Sequence, residues 1–316
     1  MKKMLLLLAT RSNDDKGFFQ MGLFIYKTNF MKRIEFFFAF LSLFFSLQAQ
    51  EIGGFDPNTK MPLRLNAILD HTKWCVCYLQ TAREDSMATD NYTKSEMILQ
   101  VGDKLSKYTN YTYLQSDSIL KSTAVNNEVF LSEFNSYIKR TKGAGERMSV
   151  IKNYPTGMCS VEELASAERY FYSEETPDFQ WKIVADEAIK ILNYKCLKAT
   201  CNFRGRDYIA WFAPEIQASN GPWKFSGLPG LILKVEDTKG DFSFVCTALY
   251  PVGWEMPITR IISKSELKVT REKFLQIKKR DMDNPLVALQ NSGKFTYSPE
   301  RIAKSQPRPY NPIEKY

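Results

Sequence analysis

A mainly β protein is the fold class that the sequence predicts: a curved antiparallel sheet or open half-barrel with one or two packed helices. Three observations carry that prediction. Runs rich in β-branched and aromatic residues recur along the chain between clusters of Gly, Pro, Asn and Asp. From 194 to 249 these runs form two consecutive hairpins. Aromatic residues make up 14% of the chain, and Trp74, Trp181, Trp211, Trp223 and Trp254 each stand on or beside a strand-like run. Such side chains supply the bulk that the core of a large sheet needs.

The first segment reads as targeting rather than fold. Met1 opens MKKMLLLLAT, an apolar stretch too short to span a bilayer. Met31 opens a better-formed segment: Lys32 and Arg33 precede an apolar run from Phe36 to Leu47, and the small Ala49 stands before the break. That order is the layout of a signal peptide. We therefore expect residues 1–30 to be an annotation extension, 31–49 a cleaved signal peptide, and 50–316 a single β-rich domain with an extended C-terminal tail. The address is the periplasm or the outer membrane. Loss of seven basic and three acidic residues with this segment takes the formal charge from +8 to +4. So small an excess, with no long basic run, argues against nucleic acid as a partner.

The remaining elements follow in order. KWCVCYL (73–79) reads as a strand, and EMILQVGDKLSKY (96–108) as two strands about a turn at Gly102-Asp103. Phe130, Phe134, Tyr137 and Ile138 recur at helical spacing and predict a short amphipathic helix within 128–140. Residues 149–174 read as a hairpin-like β region. Ser160 and Glu163 have the form of a capping box, but SVIKNY and RYFYSEE are rich in strand formers. FQWKIVAD (179–186) is a strand, and DEAIKILNY (186–194) a helical turn or irregular link.

The two hairpins come next. YKCLKATCNF and RDYIAWFA flank the turn signal Arg204-Gly205, while GLILKVED and DFSFVCTALY are joined across Thr238-Lys239-Gly240. Such a meander can bury one face of its sheet. Thr270 is placed to cap a basic amphipathic helix over 270–280, with Phe274 and Ile277 on one side. Three prolines in SQPRPYNPIEKY predict an extended tail lying on the surface.

A search for chemistry returns exclusions. His71 is the only histidine, so His-rich metal geometries within one molecule are excluded, and any serine or cysteine triad would have to use it. No phosphate loop, dinucleotide fingerprint or Gly-x-Ser-x-Gly elbow occurs. No catalytic residue, cofactor or metal site is assigned. Asp186-Glu187 and Glu236-Asp237 are the carboxylates that a hydrolase could use. Cys75, Cys77, Cys159, Cys196, Cys201 and Cys246 all fall in the exported part, where disulfides among them are favoured; their connectivity is open.

Residues 194–237 then carry a resemblance. Tyr194-x-Cys196, Lys198-Ala199, Gly205-Arg206, Ala210-Trp211, Pro214-Glu215-Ile216 and Gly221-Pro222-Trp223-Lys224-Phe225 lead into Gly227-Leu228-Pro229-Gly230-Leu231-Ile232, and the chain closes with Asn311-Pro312-Ile313-Glu314. This pattern resembles the GLPGLI family of exported proteins from Gram-negative bacteria. The resemblance implies an uncharacterised function and carries over no catalytic residue. At the level of fold, the hairpins are loosely similar to the half-barrel of periplasmic lipoprotein carriers.

The functional expectation is a non-enzymatic envelope protein that binds an apolar ligand, such as a lipid, or a protein partner. Trp211, Trp223, Phe225, Gly227, Leu228, Pro229 and Gly230 are the candidate groove and motif residues, with Leu228–Leu231 forming a type II turn. An alternative is an accessory module of an outer-membrane transport or surface complex, docking through Arg271, Lys278, Lys279 and Arg280 and through the tail. A carboxylate-dependent hydrolase is the third reading.

Overall fold

The computed structural model describes residues 56–315, apart from 57, 64, 88–91, 167, 253–255, 263–265 and 294. The expected extension at 1–30 and signal peptide at 31–49 lie outside the described residues, as does Trp254. The account below concerns the unit that begins at Asn58.

Its first strands are β1 (Lys60–Pro62), β2 (Leu65–His71), β3 (Trp74–Ala82), β4 (Thr93–Val101), β5 (Ser106–Asn110), β6 (Glu128–Phe130), β7 (Met148–Lys152) and β8 (Met158–Ala165). They continue with β9 (Glu168–Glu175), β10 (Lys182–Ile191), β11 (Tyr194–Phe203), β12 (Arg206–Ala213), β13 (Leu231–Asp237), β14 (Phe242–Pro251), β15 (Pro257–Ile262) and β16 (Leu267–Lys268). The helices among the described residues are α1 (Tyr111–Ser122), α2 (Leu131–Thr141), α3 (Arg271–Asp283), α4 (Pro285–Asn291) and α5 (Pro299–Ala303).

Twelve strands form one sheet in the order β10-β11-β12-β13-β14-β3-β4-β5-β7-β8-β9-β16. The pairings are antiparallel except for the short parallel contact of β16 with β9. The terminal strands β10 and β16 do not pair with each other, so the sheet is open. The protein is therefore mainly β, as the strand signals predict.

Chain length dictates that this sheet must roll. β9 and β10 stand ten places apart in the ladder, which in a flat sheet is about 48 Å. Only residues 176–181 join them, and so short a link reaches at most about 25 Å. The ends must curl towards each other. Contacts across the gap agree: Phe179, in the link, lies with its ring centroid 4.3 Å from that of Phe203 on β11. Arg204, in the β11–β12 turn, pairs with Glu174 of β9 at 2.6 Å.

Alternation along the strands then sorts side chains between two faces. Val76, Tyr78, Tyr108, Val150, Val161 and Phe244 point to the concave side and form one core. α3 closes that side, with the Phe274 ring 5.9 Å from Tyr170 and 5.5 Å from Tyr172. Its cap is as predicted, since the Thr270 side chain accepts from the Lys273 N–H. On the convex side, α1 and the antiparallel β2–β15 ribbon lie over β5, β7 and β8.

Two expectations need correction, and one element, α1, was not foreseen. Residues 186–194 are not a link: β10 runs on to Ile191, with a register shift between Val184 and Ala188 that absorbs Asp186-Glu187 and breaks the alternation. α1 has no apolar stripe to betray it and begins because the Asn110 side chain accepts from the Tyr113 N–H. The tail is extended but does not stay on the surface; Glu314 is only 2% exposed, drawn in by buried cations.

Candidate functional site

The Gly- and Pro-rich motif lies between β12 and β13 and fills the concave side. Trp223, Phe225 and Leu228 are buried, and the Phe225 ring packs among Phe179, Trp181, Tyr208, Trp223 and Phe244. The sheet holds this plug through polar contacts to its backbone. Lys152 Nζ donates to Asn220 Oδ1 (2.7 Å), the Gly221 carbonyl (2.6 Å) and the Phe225 carbonyl (2.8 Å). Tyr78 Oη donates to the Ile232 carbonyl at 2.7 Å, and Trp181 Nε1 to that of Ser226 at 2.8 Å. Burial lowers the Lys152 ammonium to about 7, because its acceptors are neutral.

The predicted type II turn does not form. Gly230 N–H donates to the Leu228 carbonyl at 2.9 Å, which closes a tighter three-residue turn about Pro229. Gly230 has φ +152°, and a Cβ there would run into the Ala213 carbonyl. Close approach of two backbones, together with that φ, is what demands glycine. Gly221 is constrained by a side chain instead: a Cβ there would lie 2.9 Å from Ile232 Cβ.

Charges inside the roll are paired. Lys224, 1% exposed, lies 2.5 Å from Glu174 Oε1, 2.6 Å from Glu314 Oε1 and 3.1 Å from Tyr172 Oη. Burial pulls its ammonium down, but Tyr172, Glu314 and Glu174 outweigh burial and hold it above the ordinary lysine range. Arg204 Nη1 and Arg271 Nε each reach Glu314 at 2.8 Å. Nearby, Lys278 meets Glu163 (2.5 Å), Glu84 (3.4 Å) and Glu146 (3.8 Å). Burial pushes Glu146 well above the usual carboxylate range, and Glu84 adds to the effect. The space left here is about 40 Å³, on the order of one water molecule.

A larger cavity, about 220 Å³, lies on the convex face. Its floor is a row across three strands: Thr109 pairs in register with Ser149, and Ser149 with Glu162. The Thr109 and Ser149 hydroxyls are 2.8 Å apart. Lys107, two residues before Thr109 and so on the same face, donates to the Thr259 carbonyl at 2.6 Å. The roof is the α1 face formed by Tyr113, Leu114, Asp117, Ser118 and Lys121, with Pro257, Thr259 and Ile261 alternating along β15. Arg147 and Arg169 complete the wall.

The electrostatics of this cavity favour negative charge. Four cations, Lys107, Lys121, Arg147 and Arg169, line it with two carboxylates, Asp117 and Glu162. Glu162 is also held by Arg260 Nε at 2.7 Å, and Arg147 stands 3.8 Å from Asp117. Burial pulls Lys107 down, partly offset by Glu162 and Asp117, and burial likewise lowers Lys121 against the pull of Asp117. Burial pushes Glu162 up, partly offset by Lys107 and Arg260. The guanidinium of Arg147 rests over the Tyr113 ring (5.1 Å) and the Tyr137 ring (5.6 Å), which fixes its plane.

The residues singled out in the sequence are divided among these places. Trp223, Phe225, Gly227, Leu228, Pro229 and Gly230 belong to the plug rather than to a groove. Trp211 lies on the convex face instead, with Lys198 Nζ 6.0 Å from its ring. The basic helix is split. Arg271 and Lys278 turn inward, whereas Lys279 and Arg280 face solvent beside Asp283 (2.6 Å) and Asp281 (3.1 Å).

All six cysteines are free thiols, so the favoured disulfides are not formed. Cys159, Cys196, Cys201 and Cys246 join the concave core, while alternation along β3 turns Cys75 and Cys77 to the face opposite Val76 and Tyr78. The hydrolase carboxylates do not converge. Asp186 and Glu187 lie on β10, with Glu187 on Lys198 (2.8 Å). Glu236 pairs with Lys234 (2.9 Å), and Asp237 is buried on Arg206 (2.9 Å). His71 ends β2 and is exposed.

Sequence reasoning passed over Lys107, Lys121, Arg147, Glu162 and Arg169. Two signals could have found them: SKYTN is a buried strand with polar residues on both faces, and Asp117, Ser118 and Lys121 share one face of α1 with Tyr113 and Leu114.

Residues 204–234 match the model of a family described as a protein of unknown function (Porph_ging); the match runs from the β11–β12 turn through the plug into β13. Two solved structures of PNGF-II match part of the chain. One, in space group P21, has a TM-score of 0.43 and 13% identity over 67% of this chain and 34% of that one. The other, in space group C2, has a TM-score of 0.42 and 12% identity over 67% of this chain and 33% of that one. The chain thus spans about a third of the length of the PNGF-II chains it matches. No curated protein matches.

Proposed function

We propose that this chain is an exported, non-enzymatic cell-envelope protein of the GLPGLI type, and that it binds a small polar ligand in the convex-face cavity. One observation supports the ligand reading above all. About 220 Å³ of space walled by hydrogen-bonding side chains stands outside the packed core, whereas the space beside Lys278 on the concave side is about 40 Å³. An apolar ligand in the concavity would have to displace Trp223, Phe225 and Leu228 together, at roughly 1.5–3 kcal/mol for each buried side chain. A polar ligand on the convex face displaces only water. The GLPGLI motif is then the scaffold behind the site and not the site itself.

The family reading rests on the complete hexapeptide Gly227–Ile232 and the ordered pattern that precedes it. The export reading rests on the layout of residues 31–49, and N-terminal sequencing of exported protein that found Met31 retained would overturn it. Ligand binding is tested by thermal shift of the purified chain against a panel of small polar metabolites. Ser118→Trp, at an exposed position on the cavity wall, serves as a block. Compounds that stabilise the parent and not the variant support the reading. A panel that stabilises neither protein, or both equally, overturns it.

A further inference from the structure

We propose that the ligand of the convex-face cavity is a hydroxylated small anion: a single sugar ring bearing one carboxylate or phosphate, its charged group seated against Lys107, Lys121, Arg147 and Arg169. This inference rests on the reading above that the cavity is a ligand site, and it adds the chemistry of the occupant.

Charge is the first argument. The cavity wall holds four cationic side chains and two carboxylates. Arg260, shared with Glu266, holds Glu162 at 2.7 Å and Arg147 stands 3.8 Å from Asp117, so the lining keeps an excess of two positive charges. An incoming cation would meet a net positive wall. An oxyanion would meet two guanidinium groups, whose planar forks match paired oxygens, and two ammonium groups. The Arg147 plane is already fixed over Tyr113 and Tyr137, so little side-chain freedom remains to be lost on binding.

Size and lining are the second. A volume of about 220 Å³ equals about seven molecules of liquid water and falls below the roughly 300 Å³ at which drug-sized pockets begin. One ring with one charged substituent fits that space; a nucleotide or a lipid does not. The Thr109 and Ser149 hydroxyls are hydrogen-bonded to each other at 2.8 Å on the floor, and Thr109 also donates to the Met148 carbonyl at 3.1 Å; their remaining lone pairs can accept from the hydroxyls of a sugar. Met256, Pro257 and Ile261 supply an apolar strip on the opposite wall, suited to the C–H face of such a ring. Burial lowers both Lys107 and Lys121; a bound anion would raise them again, so binding takes up protons and tightens as pH falls through the lysine range.

The test is isothermal titration calorimetry of the purified chain with glucuronate, glucose 6-phosphate, glucose and inorganic phosphate, each at low and high salt. Glucuronate or glucose 6-phosphate should bind at least about tenfold more tightly than glucose and should weaken with salt. Lys121→Gln should weaken the anionic sugar several-fold while leaving the affinity for glucose unchanged, and Ser118→Trp should abolish binding. Glucose binding as tightly as its acid overturns the anion assignment and leaves the cavity reading intact. Inorganic phosphate binding as tightly as the sugar phosphate overturns the sugar assignment. If none of the four probes gives heat up to about 10 mM, the inference fails. The cavity reading then still stands or falls on whether some other polar compound is blocked by Ser118→Trp.

Discussion

The two faces of the rolled sheet handle buried charge in opposite ways. On the concave face, Lys224 is set between Glu174 and Glu314, Lys278 among three glutamates, and the volume about them is filled by the 214–230 plug. On the convex face, cations outnumber carboxylates and a cavity remains beside them. Buried charge alone therefore does not mark a site in this fold. Charge next to room is what sets the convex face apart. The concave network leaves about 40 Å³ beside Lys278, whereas the convex cluster keeps about 220 Å³ beside its charges.

Four substitutions would break or sharpen this contrast. The largest effect should come from Gly230→Val, which drives a Cβ into the Ala213 carbonyl. A cost above about 4 kcal/mol is expected, seen as loss of cooperative urea unfolding; a melting temperature close to the parent's would mean that the plug can be repacked. Next is Lys224→Met, which leaves Glu174 and Glu314 without the ammonium between them. It should cost about 3–5 kcal/mol by urea titration, and a parent-like midpoint would show that Arg204 and Arg271 suffice.

Lys152→Met should act through pH. The folded ammonium is lowered to about 7 against an ordinary 10.5, so between those values the unfolded chain binds more protons and stability rises with pH. The variant should lose that rise, and parallel stability–pH curves for parent and variant would contradict the assignment. Glu146→Gln runs the other way. Burial holds the folded carboxyl well above 4.5, so the parent loses stability as pH rises past that value, and the variant should be the more stable at neutral pH with no gain below 4. Equal melting temperatures at neutral pH would remove Glu146 from the buried network.

The sequence was legible where local rules act. Arg204-Gly205 and Thr238-Lys239-Gly240 announce their hairpins because a tight turn admits few residue types, and Thr270 announces α3 because a cap is a local hydrogen bond. The candidate site was illegible for a physical reason. Lys107, Thr109, Ser149, Glu162 and Arg169 come from four strands, and only the registers β5–β7 and β7–β8 bring the floor together. The motif misled in a different way. Its composition says turn, but Gly221 and Gly230 answer to Ile232 and Ala213, partners that only the folded sheet supplies. The bulge at 185–187 hid half of β10, since an interrupted alternation resembles a loop.

The joint between β14 and β3 has a kinetic consequence. From β10 to β14 each strand pairs with its successor, and β3–β4–β5 and β7–β8–β9 are built in the same local way. Within the twelve-stranded sheet the two halves share a ladder where Trp74 pairs with Pro251 and Ala82 with Phe242, a closure over roughly 170 residues whose entropy must be met before its contacts form. Each half can zip from its own hairpins, so the middle of the finished sheet is the last ladder to assemble. The short link at 176–181 ties the halves together at their far edges, and it turns that final search from a diffusive encounter into the closing of a hinge.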